Sequence, residues 1–148
     1  MRVRIKFAKT EAMRYTGHLD LHHTWERTLR RAQLPLAYSQ GFNPRPKINL
    51  ASALPLGFTS QAELVDVILD SELPVDEIET RLKQASPPGI QVANVEAIAQ
   101  DAPKLQRQLA AAEYTLTLLE PFPDLATGLG SLLEANQLLR QRRGKQYD

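Results

Sequence analysis

The chain has 148 residues, 43% hydrophobic and 24% charged, the balance of a packed globular protein with room for one ordinary domain or two very small ones. It contains no cysteine, which excludes iron–sulfur clusters, thiolate zinc sites and disulfides built from its own side chains. Its formal net charge of +1 hides an asymmetry: residues 1–47 carry ten Lys/Arg against three Asp/Glu, and residues 48–103 carry two against nine. A surface of one sign steers a partner of the other; the alternative is that the two regions neutralise each other inside the fold.

The first residues alternate Arg2, Arg4 and Lys6 with Val3, Ile5 and Phe7. This period of two predicts a half-buried strand with an apolar face and a cationic face. After a polar loop at Lys9–Gly17, Leu21, Trp25, Leu29 and Ala32 recur at helical spacing and predict a helix over residues 19–33. Asp20 suits its positive end, Arg27, Arg30 and Arg31 suit its other faces near the C-terminus, and Leu34-Pro35 ends it.

Residues 36–39 read as a short extended piece. Gln40-Gly-Phe-Asn-Pro-Arg-Pro-Lys47 is too rich in Gly and Pro for regular structure. Residues 48–53 return as a strand, 54–57 as a turn, and 63–69 as a strong strand. Val75, Ile78, Leu82 and Ala85 mark a second helix stopped by Pro87-Pro88-Gly89, and residues 90–98 close the unit as a strand. The fold class is therefore α+β, with residues 1–100 in the ferredoxin-like βαββαβ order.

Residues 101–148 are expected to begin a second, partial α+β unit. It would comprise a short polar helix or linker at 104–112, a strand at 114–119 and a helix capped by Asp124. That helix would bury Leu125, Leu129, Leu132 and Leu133. A strand at 138–142 and a turn at Arg143-Gly144 would follow, with the partner strand truncated or supplied by another chain.

Arg14-Tyr-Thr-Gly-His-Leu-Asp-Leu21, the run from Trp25 to Lys47 and Leu54-Pro-Leu-Gly57 resemble the radical SAM-linked protein family, bacterial proteins found beside or fused to B12-binding radical SAM proteins. The resemblance implies a radical SAM protein as partner. Lacking cysteine, this chain reads as the partner of such an enzyme. No cofactor and no metal are expected of the chain itself.

The loop at 41–47 is the leading candidate site. Its glycine permits close backbone approach, its prolines stiffen it, Arg45 and Lys47 offer cations, Asn43 a polar contact, and Phe42 a face on which an RNA base can stack. Its alternative is a structural turn with Phe42 in the core and Arg45 paired to an acid. Arg2, Arg4 and Lys6, with Arg142, Arg143 and Lys145, complete the expected set of phosphate contacts. The last three equally suit the exposed edge of a strand.

His18, Asp20 and His22 invite a metal reading, but capping and packing account for them without one. His18 is also a weak candidate for acid–base cleavage of RNA, and His23 reads as solvated. No GxxxxGK[ST] loop, GxGxxG fingerprint or GxSxG elbow occurs.

Taken together, the residues point to a non-catalytic, RNA-binding accessory module. The alternatives are a protein–protein adaptor docking through the acidic middle region and a metal-independent ribonuclease. The N-terminus carries no apolar leader, and no apolar run approaches the roughly 20 residues of a membrane span. The expected location is the cytoplasm, without membrane contact.

Overall fold

A computed structural model describes residues 1–137, 139–142 and 144–147, with backbone alone at 140, 142 and 145–147. The chain divides into two compact units, Met1–Ala112 and Glu113–Asp148.

The first unit runs β1 (Arg2–Lys9), α1 (His18–Arg31), β2 (Ile48–Leu50), β3 (Ser60–Ile68), α2 (Val75–Ala85) and β4 (Ile90–Ile98). Its four strands form one antiparallel sheet in the order β2-β3-β1-β4. Alternation along β1 decides the layering, because successive strand residues face opposite sides. Val3, Ile5 and Phe7 are fully buried, and they share one core with Leu21, Trp25 and Leu29 of α1 and Ile78 and Leu82 of α2. Both helices thus contribute to the apolar side of the sheet. Trp25 meets Phe7 edge to face, with ring centroids 4.8 Å apart.

Local chemistry explains where the elements end. The first helix stops at Arg31, two residues short of expectation, because Gln33 adopts a left-handed backbone (φ 53°) ahead of Pro35. In β4 the pairing register slips between Asn94 and Val92, leaving Ala93 as a bulge. The slip resets the alternation, so Ile90 and Val92 are buried and Val95, three residues on, is buried too.

The sequence-based boundary at residue 101 falls later in the structure. Residues 102–108 lie against the side of the sheet that carries Arg2 and Arg4. Arg2 donates to the carbonyls of Ala102 (2.7 Å) and Pro103 (3.1 Å), and Arg4 to Gln108 Oε1 (2.9 Å). Gln106 donates to the Leu50 carbonyl (2.7 Å), and Leu105 is fully buried. This strap therefore belongs to the first unit. A single turn of 3-10 helix at Leu105–Arg107 stands where a short helix was expected.

In the second unit, α3 (Leu125–Glu134) is followed by an antiparallel hairpin of β5 (Arg140–Arg142) and β6 (Lys145–Tyr147). Four expectations are corrected. Residues 114–119 form no strand, despite their alternating pattern. Asp124 precedes α3 in a left-handed conformation (φ 59°) and makes no side-chain cap. Leu125, Leu129, Leu132 and Leu133 are all exposed, and no residue of α3 is buried. The partner for the strand at 140–142 is supplied by the chain itself, through the turn at Gly144. No helix among the described residues is long and apolar enough to cross a membrane.

Candidate nucleic-acid interface

Residues 37–47 form a hairpin-like excursion tied at its base to β3. Ala37 N–H donates to the Ile68 carbonyl (2.9 Å), Lys47 N–H to Ala37 (2.9 Å), and Ile68 N–H to Lys47 (3.1 Å). Further out, Tyr38 bridges Pro46, Ser39 N–H donates to the Arg45 carbonyl (2.9 Å), and Arg45 N–H donates to Ser39 Oγ (3.0 Å). At the tip, Gly41 takes φ 134°, a value that side chains disfavour. The loop is thus braced by backbone bonds and by the Ser39 hydroxyl.

The tip turns its side chains outward. Phe42 is fully exposed, and Asn43, Arg45 and Lys47 are exposed with it. Pro46 and Ile48 are buried between and after the two cations, so Arg45 and Lys47 project to one side, about 7 Å apart along an extended chain. Neither forms an ion pair among the described residues.

The cations of β1 are placed differently. Asp66 of β3 lies directly opposite Arg4 and diagonal to Arg2, and its side chain is 1% exposed. Arg4 Nε reaches Asp66 Oδ1 at 2.8 Å, and Arg2 reaches Oδ2 at 2.7 Å. The hydrogen bond from Arg4 to Asp66 raises the guanidinium above its ordinary range, helped by the charges of Asp66 and Glu96 and opposed by burial. Both arginines are committed to the internal trio and to the strap, so their expected role as phosphate contacts is corrected. Here one acid of the middle region, Asp66, pairs inside the fold with two cations of the N-terminal one.

Lys6 stays exposed on that side of the sheet. Arg142 and Lys145 are backbone partners in the hairpin of the second unit, while Arg143 lies outside the described residues. His18, the weak acid–base candidate, opens α1 half-buried, and its Nδ1 is buried without a hydrogen bond.

One cation that sequence reasoning assigned to a loop proves central. Lys9 is 1% exposed and in phase with Val3, Ile5 and Phe7 on the core side of β1. Its Nζ donates to the carbonyls of Thr16 (2.8 Å), Phe58 (3.0 Å) and Arg14 (3.4 Å), binding the 10–17 loop to the 54–58 turn. Gly57 N–H donates to the Arg14 carbonyl at 2.9 Å, and Arg14 Nε returns a bond to Gly57 O at 3.1 Å. Two of the segments that carry the family resemblance, around Arg14 and Gly57, therefore meet in space. The usable signal was the parity of Lys9, two residues beyond Phe7.

Removing this ammonium leaves three carbonyls to find other donors. Lys9→Met is expected to cost about 1–3 kcal/mol, read from urea unfolding. Burial pushes the Lys9 ammonium below its ordinary value of 10.5, with Glu63 pulling partly back. In that window the unfolded chain holds the proton more tightly than the folded one, so Lys9 adds stability as pH rises towards 10.5. The stability gap between wild type and Lys9→Met is therefore expected to widen over that alkaline range. A constant gap would show that burial does not disfavour the charged form.

The two units define a mixed α+β protein whose main body is a four-stranded antiparallel sheet with two helices in its core. The chain belongs to the bacterial family described as "uncharacterized protein conserved in bacteria (DUF2344)", which matches residues 2–148 and so spans both units. No curated protein matches the chain.

Proposed function

We propose that this chain is a non-catalytic, cytoplasmic accessory module that binds single-stranded RNA and serves a radical SAM enzyme system, RNA being held by the 38–47 hairpin. The observation that carries the RNA reading is the fully exposed Phe42 beside two exposed cations, unpaired among the described residues, on a braced loop. Aromatic faces stack on bases of any identity, and neighbouring cations follow the phosphates. The element order and the strand order also support reading the first unit as ferredoxin-like, although a fold of this kind says little about function by itself. The interface drawn here omits Arg2 and Arg4 and keeps Phe42, Asn43, Arg45 and Lys47, with Lys6 as an accessory cation. The radical SAM partner rests on the sequence resemblance.

Fluorescence anisotropy with short, mixed-sequence single-stranded oligoribonucleotides tests this reading. Affinity is expected to fall steeply with salt. Arg45→Ala with Lys47→Ala lowers the slope of log K against log salt by about 1.4, since each phosphate contact on a single strand contributes about 0.7. Phe42→Ala removes about 1–3 kcal/mol of binding and leaves that slope nearly unchanged. A protein adaptor is the second reading, favoured by the exposed Tyr15 and Leu56 near the Arg14–Gly57 junction. No RNA retention at low salt, together with co-purification of the radical SAM protein, establishes the adaptor and ends the RNA proposal.

A further inference from the structure

The middle of α1 carries His22-His23-Thr-Trp-Glu26. On a helix, residues three and four apart are neighbours, so Glu26 lies beside both imidazoles. His22 Nδ1 is 3.5 Å from Glu26 Oε1, and His23 Nδ1 is 3.5 Å from Oε2. A ligand atom from each of the three residues falls within 4.8 Å of the others.

Those separations are too long for N–H···O hydrogen bonds, which close to about 2.7–3.2 Å. The two 3.5 Å separations match the spacing of two ligands on one zinc ion, where bonds of about 2.1 Å at tetrahedral angles put neighbouring donors about 3.4 Å apart; the wider spread of the trio, within 4.8 Å, requires a side-chain rotation to close on the ion. The Glu26 side chain is only 14% exposed, and no Lys or Arg pairs with it among the described residues. A largely buried carboxylate gains from a cation held close to it. His22 and His23 are 28% and 54% exposed, so an ion has a path in.

We infer that His22, His23 and Glu26 form a binding site for a divalent cation of the zinc type. The donor set decides the class. Two imidazole nitrogens and one carboxylate suit zinc and its borderline neighbours, whereas calcium and magnesium take oxygen ligands. Three protein ligands leave one tetrahedral position for water or for a group from a partner. The site is independent of the RNA reading, because none of its ligands belongs to the 38–47 hairpin.

The test uses tag-free full-length protein titrated with Zn2+ against a chromophoric chelator of micromolar affinity. One ion per chain is expected. Glu26→Gln, and His22→Gln with His23→Gln, each weaken binding at least about tenfold, since loss of even an outer-shell partner commonly does so. The chain has three histidines, which supplies a readout on wild-type protein alone. Zn2+ is expected to shift the imidazole NMR signals of His22 and His23 and to spare those of His18. Failure of wild type to compete with the chelator overturns the site. So does full binding by the double variant, or a zinc response centred on His18.

Discussion

Replacing Asp66 with alanine is expected to destabilise the protein by about 3–5 kcal/mol, lowering the thermal midpoint by more than about 10 °C. The carboxylate is 1% exposed and is the shared partner of Arg2 and Arg4, whose side chains are 10% and 13% exposed. Removing it leaves two nearly buried guanidinium groups facing each other across adjacent positions of one strand face, without their negative partner. The strap loosens in the same step, because Arg2 and Arg4 also hold Ala102, Pro103 and Gln108. Replacing the whole trio, as Arg2→Met, Arg4→Met and Asp66→Leu, is expected to recover most of the loss, since apolar groups of similar volume often substitute for a buried ion set. A loss below about 1 kcal/mol for the single change, measured by urea unfolding, would place the trio among weakly coupled surface pairs.

Gly89→Ala is expected to cost about 3 kcal/mol, for two separate reasons. The residue holds φ 98° in the turn between α2 and β4, where an L side chain is strained. An added Cβ would also lie 2.3 Å from Met13 Cγ and 2.9 Å from the Met13 backbone nitrogen. The methionine side chain can swing away, but the backbone nitrogen sits in the 3-10 turn at Glu11–Met13. The Gly89 carbonyl also accepts a bond from Thr10 N–H at 2.9 Å, which closes that turn against the start of β4. Met13→Ala is therefore expected to relieve only part of the Gly89→Ala penalty in a double-mutant cycle. Complete relief would mean that the backbone conformation carries no strain.

Local periodicity made much of the first unit legible. Val3, Ile5 and Phe7 announced the buried side of β1, and Leu21, Trp25, Leu29 and Ala32 named the core stripe of α1; all seven are buried. The irregular loop was legible from its Gly and Pro content, but whether Phe42 stood out or entered the core was left open by the sequence. What stayed hidden was pairing over distance. Asp66 interrupted an apolar run with no local hint that Arg4 would sit opposite it, because register is set by the whole sheet. Lys9 was read as the start of a loop on account of its charge, although its parity placed it on the core side. Residues 114–119 alternate as a strand should, yet no neighbouring strand takes them up. Alternation is only half of what a strand requires.

The N-terminal strand sits in the interior of its sheet, between β3 and β4. Its first neighbour begins at Ser60 and its second at Ile90, so during synthesis β1 leaves the ribosome long before either. Until Ile98 has emerged, the nascent chain exposes an apolar strand with at least one open edge, the kind of segment that chaperones shield and aggregates recruit. The four cations along that strand, Arg2, Arg4, Lys6 and Lys9, give the waiting segment a like charge that opposes pairing between copies.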